Sequence, residues 1–479
     1  MKLGNKVSLF LLLVLVPTQA SEILEVCPNP YGSDGAEYIK LKVDKLCILT
    51  DEEGELVINK TGTITIAKNS TEFYNAFGYL PDYEFPKRFA LSNNGESIFL
   101  IENNTTVDRF TYGKSGLNFM DDGVIYFKKG GGWDFKYQDW SDFDTVEDFV
   151  RGRIFVTPYN YTFSCDGTII ASYTFTNFEL LENTNVNEIY VDATPVGGVP
   201  VEEIEIAKNH NVHFLNSKSY KNFHYKFGVC GDKVVITTEN WVWSNRGYIV
   251  EFESKKVSEL LKKVLEHDKI YNAKPGNVDG VKGVERFENG KESNFEGYIE
   301  VFVIPDRNPI FEVISNAENR LYISTPYMDF KWYNGTPLLD SIKKAAKTAE
   351  VKILLDSKYN KDKNINTINF LNRIAKAEKL NIEAKLIELK GFDSLHGKLI
   401  IADNKVVITS ANFNMYGFKL NREVGIVIYS KEVADFLAEQ FMDDFSEKQT
   451  KLDYIELLPS LILLLAALFI VFKALKERF

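Results

Sequence analysis

Residues 394–412 read SLHGKLIIADNKVVITSAN. Leu399 to Ala402 is a short apolar run, Asp403-Asn404 a two-residue turn signal and Lys405 to Thr409 a β-branched return strand, so the stretch predicts a hairpin. Residues two apart on a strand share a face, which points His396 and Lys398 the same way. The turn then carries Ser410 and Asn412 back beside His396. An imidazole, an ammonium and an amide converge on one spot, with Asp403 at the tip.

The pattern occurs twice. Residues 224–240, HYKFGVCGDKVVITTEN, align without a gap with residues 396–412, HGKLIIADNKVVITSAN. His224, Lys226 and Asn240 fall on His396, Lys398 and Asn412, and KVVIT recurs intact. In a chain with five histidines, a second such hairpin points to internal duplication. The flanking elements repeat in outline. Strands are expected at 168–175, 187–191 and 212–215 with a helix at 201–208, and again at 320–326 and 351–356 with helices at 336–349 and 365–380. The architecture implied is two α/β lobes, residues 154–256 and 298–450, each donating one hairpin to a shared seam. Between them, residues 257–297 hold a helix marked by Val257, Leu260, Leu261, Val264 and Leu265, then a Gly- and Asn-rich connector expected to be exposed and mobile.

Paired imidazoles suit phosphodiester chemistry. A neutral imidazole can attack phosphorus and split one hard displacement into two easier ones. A second, protonated imidazole on the far side can protonate the departing oxygen and later deprotonate the acceptor. Two lysines and two amides can stabilise the charge of the transition state. On these residues the chain resembles the phospholipase D superfamily, whose members carry two H-K-D motifs, each followed by Ser-x-Asn or a similar segment. The second copy matches fully and continues into Asn421-Arg422-Glu423, where the family often has a Glu. The first departs from the pattern. Gly231 takes the Asp position with Asp232 one residue late, and Thr238 replaces the Ser. With a short gap Asn245-Arg246 matches Asn421-Arg422, and Gly247 then stands where the second copy has Glu423.

The resemblance implies a two-lobed fold with pseudo-twofold symmetry and a metal-independent, cofactor-free phosphodiesterase working through phosphohistidine. His224 is then the nucleophile and His396 the acid/base, or the reverse. Lys226, Lys398, Asn240 and Asn412 bind phosphate oxygens. Ser410, Thr238 and Glu423 orient the histidines, Asp403 is a support residue, and Asp232 stands in for its missing partner. Phospholipid head groups are the expected substrate. The alternatives are a nuclease using the same site, or an impaired enzyme left with envelope binding.

The rest of the chain frames this pair. At 479 residues it is too long for one ordinary domain. A formal charge of −11 gives no protein-wide basic field for nucleic acid. Met1 to Ala20, with Lys2 and Lys6 before an apolar Val7 to Val16, predicts a secretory signal peptide. Residues 454–472 are apolar enough to predict a transmembrane helix, and Lys473, Lys476 and Arg478 after it predict a cytoplasmic tail at 473–479 with the large domain outside. On that exported side, the four cysteines allow three pairings. Cys27 with Cys47 is favoured because it closes a loop inside one small domain, leaving Cys165 with Cys230 second and buried free thiols as the alternative. Residues 22 to about 115 are expected to be all-β, with turns such as Ser33-Asp-Gly35 and Asn93-Asn-Gly95. The phrases ILEVCPNPYGSDGAEYIKL, ALSNNGESIFLIENN and VDRFTYG resemble the lamin-tail domain, an immunoglobulin-like sandwich, whose binding partner the sequence does not name. That domain is expected over residues 22–153, with the aromatic-rich 118–153 packing it against the α/β region.

Overall fold

The computed structural model describes residues 20–113, 121–163, 165–279, 290–333 and 335–446. They form two compact units that divide between Trp140 and Ser141.

The first unit contains a six-stranded and a four-stranded sheet. Alternation fixes the faces: along Tyr38–Val43, Ile39, Leu41 and Val43 are fully covered while Lys40 and Lys42 are not. The favoured disulfide is corrected here. Cys27 ends a strand of the six-stranded sheet and Cys47 begins one of the four-stranded sheet, and both are free, buried thiols. Nearness in sequence misled because the chain changes sheet between them. Cys27 instead packs with Tyr38, Ala67, Phe73 and Ile125, and burial drives its thiol far above the usual range. The disulfide is Cys165–Cys230. Strand Thr168–Ala171 pairs antiparallel with Phe227–Cys230, which brings the two cysteines together.

Residues 121–153, the described part of the segment expected as an aromatic linker, are not one linker. Val124–Lys129 and Gly132–Tyr137 form a hairpin within the six-stranded sheet. Val146–Val156 belongs to the second unit, so it runs through the boundary expected at 153/154.

The second unit is organised on one 14-stranded sheet. Val146–Val156 and Lys291–Ile304 run antiparallel down its centre, in register from Val146 opposite Val301 to Val156 opposite Lys291. Outward on one side come Tyr248–Glu253, Lys233–Thr237, Phe227–Cys230, Thr168–Ala171, Val186–Asp192 and Val212–Leu215. Outward on the other come Glu423–Tyr429, Lys405–Thr409, Leu399–Ala402, Arg320–Thr325, Glu350–Leu355 and Ile382–Leu386. The halves correspond strand for strand. In each, the three outermost strands are parallel and the inner ones antiparallel. The connector expected to end at Gly297 therefore ends sooner, because residues 291–297 are already in a central strand.

Helices cover the sheet in matching places. Lys255–Asp268 is capped by Ser254, whose hydroxyl accepts from Val257 N, and buries Val257, Leu260, Leu261, Val264 and Leu265 at helical spacing. Its counterpart after the last strand is Lys431–Ser446. The expected fold class is corrected at its C-terminal end, and the single-pass membrane location with it. Among the described residues no helix is long and apolar enough to cross a membrane. The sequence pattern at 454–472 on which both expectations rest lies outside the described residues, as do residues 1–19 of the expected signal peptide.

Candidate active site

Both hairpins turn through a left-handed residue: Asp403 has φ 55° and Gly231 φ 59°. Glycine adopts that conformation freely and aspartate tolerates it, so the first copy's departure at this position leaves the turn intact. Asp403 also has a task at the tip. Its carboxylate accepts from the backbone N–H groups of Glu318 (2.8 Å), Asn319 (2.8 Å) and Arg320 (3.0 Å), tying the hairpin to strand Arg320–Thr325. Asp232 does not take over that role. It is exposed, and its backbone carbonyl accepts from Ser254 N at 2.8 Å. In its place Ser258 Oγ (2.5 Å) and Lys262 Nζ (3.1 Å) donate to the Gly231 carbonyl.

At the opposite ends of the hairpins the halves cross-brace each other. His224 N donates to Arg422 O at 2.8 Å and Arg422 N to Asn222 O at 2.8 Å; His396 N donates to Arg246 O at 3.0 Å and Arg246 N to Ser394 O at 2.8 Å. The side chains cross in the same sense. His224 Nδ1 lies 2.9 Å from Glu423 Oε2, and His396 Nδ1 lies 3.2 Å from Glu239 Oε1. Each histidine is thus held by a carboxylate from the other copy. Glu423 also accepts from Ser410 Oγ (2.5 Å) and Asn421 Nδ2 (3.0 Å). Glu239 accepts from Thr238 Oγ1 (3.0 Å) and Asn245 Nδ2 (2.9 Å). With Nδ1 facing a carboxylate, each neutral ring carries its proton there and leaves Nε2 bare.

The lysines come two residues on, as strand geometry requires. Lys226 Nζ donates to His224 O at 2.8 Å and lies 3.3 Å from both ring nitrogens; Lys398 Nζ donates to His396 O at 2.6 Å. Both are fully buried. Burial lowers the Lys398 ammonium to about 8 against the pull of Glu239 and Glu423, and lowers Lys226 well below its usual range. Burial also brings His224 down to about 4, with Glu423 opposing and Lys226 assisting; it lowers His396 as well, with Lys398 assisting. Burial alone would raise Glu239 and Glu423, yet the facing histidines and lysines hold both below the ordinary carboxylate range.

The cluster therefore brings together His224, Lys226, Thr238, His396, Lys398, Ser410 and Glu423. Asp232 and Asp403 are at the hairpin tips. Asn240 directly follows Glu239 with its Oδ1 buried and unpaired, and Asn412 reaches the Tyr327 hydroxyl. Among the described residues no group of three or more His, Cys, Asp or Glu is placed to hold a metal.

Sequence reading missed five residues here. Glu239 is the first. Asp192 and Asp356, both buried, accept the N–H of the residue just before each histidine: Phe223 N at 2.7 Å and Leu395 N at 2.8 Å. Their signal is an acid closing an apolar strand, EIYVD and KILLD. Tyr173 and Tyr327 complete the set. The Tyr173 ring is 4.6 Å from the His224 ring and 5.6 Å from Lys226 Nζ, and the Tyr327 hydroxyl accepts from Asn414 Nδ2 at 3.0 Å.

Comparison with known proteins covers the second half of this arrangement. Residues 310–445 match a family profile described as "Cardiolipin synthase, PLD-like domain". A cardiolipin synthase of Clostridium perfringens (strain 13) is 33% identical over 144 residues, 29% of this chain and 28% of that protein. A cardiolipin synthase 2 of Bacillus cereus is 32% identical over 140 residues, 29% of this chain and 25% of that protein. The chain thus spans little more than a quarter of these relatives. Among solved structures, a phosphatidylserine synthase of Haemophilus influenzae superposes with a TM-score of 0.45 at 13% identity, over 59% of this chain and 82% of that one. The family match leaves the lamin-tail likeness of the first unit a likeness of sequence phrases. Over residues 310–445 this chain is similar to the phospholipase D-like domain that the cardiolipin synthase profile describes.

Proposed function

We propose that the second unit is a phosphodiesterase of the phospholipase D type, working through a phosphohistidine on phospholipid head groups. The observation that carries this reading is the crossed pairing of two histidines with two buried carboxylates. It holds each ring through Nδ1 and leaves each Nε2 outside the carboxylate pairing, on rings held by opposite halves, with that of His224 lying 3.3 Å from Lys226 Nζ. His224 is the deeper ring, its side chain 8% exposed against 27% for His396, and it is neutral at ordinary pH, as a nucleophile must be. Its Nε2 attacks phosphorus while the leaving oxygen takes the Nε2 proton of His396 in its imidazolium form, which Glu239 favours against the burial that opposes it; the P–O bond breaks as the P–N bond forms. His396 then takes a proton from the acceptor, whose oxygen attacks phosphorus and breaks the P–N bond. Glu239 stabilises the imidazolium form of His396. Lys226 and Lys398 stabilise the charge on the phosphoryl oxygens, and Asn240 and Asn412, at the outgoing ends of the hairpins, supply amide donors beside them.

The lipid assignment rests on the named activity of the relatives, which are cardiolipin synthases. The full-length chain is expected to hydrolyse bis(p-nitrophenyl) phosphate in excess chelator, and to cleave phosphatidylglycerol in vesicles faster than single-stranded DNA. Cleavage of DNA alone would replace the lipid reading with the nuclease one, and inertness towards all three would end both.

The lysines set a pH limit. Loss of the Lys398 proton near pH 8 removes positive charge from the transition state, so the rate falls as pH rises through about 8. Lys398→Arg, which keeps its charge, moves or abolishes that alkaline limb. A limb unchanged in the arginine variant would assign it to another group.

A further inference from the structure

Gly247 falls where the second copy has Glu423, at the start of the strand that leaves the site. A carboxylate missing from that position reads as a damaged motif. The atoms around it say otherwise. A Cβ built at Gly247 would collide with Oε1, Cδ and Cγ of Glu239. The Glu239 side chain therefore fills the space that a side chain at 247 would enter. Gly247 is not among the glycines with positive φ, so its backbone makes no demand for glycine. What requires glycine is room.

The two hairpins deliver their backbones to this point identically. Glu239 N donates to Thr237 Oγ1 at 3.1 Å and Ala411 N to Thr409 Oγ1 at 3.1 Å; Thr237 Oγ1 in turn donates to Tyr248 O at 3.0 Å and Thr409 Oγ1 to Val424 O at 2.9 Å. In the second half, position 411 holds a fully buried alanine and position 423 the acid. In the first half the order is exchanged: position 239 holds the acid and position 247 the empty side chain. Thr238 and Asn245 bond the relocated carboxylate just as Ser410 and Asn421 bond Glu423.

We propose that Glu239 is the positioning carboxylate of His396, supplied from the neighbouring hairpin position instead of from residue 247, and that Gly247 is kept side-chain-free to admit it. This rests on the phosphodiesterase reading for its kinetic arm only. The first motif is then a rearranged site and not a decayed one, and the two halves are alike in their atoms while unlike in their sequence.

The test is a double-mutant cycle read by turnover of bis(p-nitrophenyl) phosphate and by side-chain ¹⁵N resonances of the five histidines in the full chain. Loss of a group that orients a reacting ring costs about 10–100-fold in activity, and Glu239→Ala and Glu239→Gln are each expected to fall in that range. Both should also shift the His396 titration midpoint and its tautomer balance, leaving those of His210, His213 and His267 unchanged. Gly247→Ala is expected to match them, because the added Cβ displaces the carboxylate. In the Glu239→Ala background Gly247→Ala is expected to be nearly silent, and Glu239→Ala/Gly247→Glu to regain activity. Equal penalties for Gly247→Ala with and without Glu239, or an unmoved His396 titration in Glu239→Gln, would overturn the proposal. If the wild type fails to turn over any diester, the phosphodiesterase reading falls alone, since the His396 titration still reports on Glu239.

Discussion

His224→Ala is expected to abolish both the first burst and the steady turnover of an activated aryl phosphodiester, whereas His396→Ala keeps the burst and loses the turnover. The difference comes from which bond each ring serves. Nitrophenolate departs without a proton, so the first displacement needs the His224 nucleophile but not the His396 acid. The second displacement needs His396 to deprotonate the acceptor, and without it the P–N bond persists. Steady turnover should fall at least about a thousandfold in either variant, within the reach of removing a nucleophile or a general base. The His396→Ala protein should therefore accumulate a phosphoryl group on His224 that is labile to acid and stable to alkali, visible by peptide mass spectrometry after quenching in base. With an alkyl diester, whose leaving oxygen does need a proton, the same variant should lose its burst as well. A burst in His224→Ala and none in His396→Ala would exchange the two roles. Normal turnover in either variant would remove the pair from the mechanism altogether. Denaturation curves matching the wild type would show that the losses are chemical, not structural.

The part of this site that was legible in the sequence is the part that repeats without a gap. His224 to Asn240 and His396 to Asn412 each form a self-contained hairpin, whose register and turn are set by residues within the stretch, so local rules suffice. The parts that were missed depend on groups that lie outside each hairpin stretch. Glu239 reads as an ordinary polar residue until Gly247, eight positions on in the chain, is known to lie against it. Asp192 and Asp356 close strands far in sequence from the histidines whose neighbours they hold. The same limit explains the cysteines: Cys27 and Cys47 are close along the chain but in different sheets, while Cys165 and Cys230 are joined through pairing of distant strands. It also explains the misplaced boundary, since Val146–Val156 looks like the end of one domain until Lys291–Ile304 pairs along its whole length.

The cross-bracing of the halves ends in two arginines, and their unequal burial gives the second large expected effect. Arg422 and Arg246 occupy equivalent places; each backbone carbonyl receives the N–H of a site histidine. Arg422 Nε pairs with Asp268 at 3.0 Å and Nη1 with Asp306 at 3.0 Å, with all three side chains fully buried, and its guanidinium lies 5.1 Å from the Tyr220 ring and 5.7 Å from the Phe143 ring. Arg246 pairs with Asp444 at 2.8 Å, each side chain 12% exposed. Asp268 and Asp444 sit at the same place counted from the starts of helices Lys255–Asp268 and Lys431–Ser446. Asp268→Ala leaves Nε of Arg422 unpaired and its buried guanidinium with Asp306 alone; breaking a buried pair outright costs about 3–5 kcal/mol, so with one partner kept the variant should lower the denaturant midpoint by up to that equivalent, with little change in slope. Asp444→Ala should cost less, because water reaches Arg246 and screens it. Asp268→Asn, which keeps an oxygen for Arg422, should fall between the wild type and Asp268→Ala. Turnover should fall with stability in Asp268→Ala, because the carbonyl of Arg422 holds the His224 backbone and the next residue, Glu423, holds its ring. Equal losses at Asp268 and Asp444 would mean that burial does not set the strength of these braces, and that the two halves bear on the site alike despite their different depths.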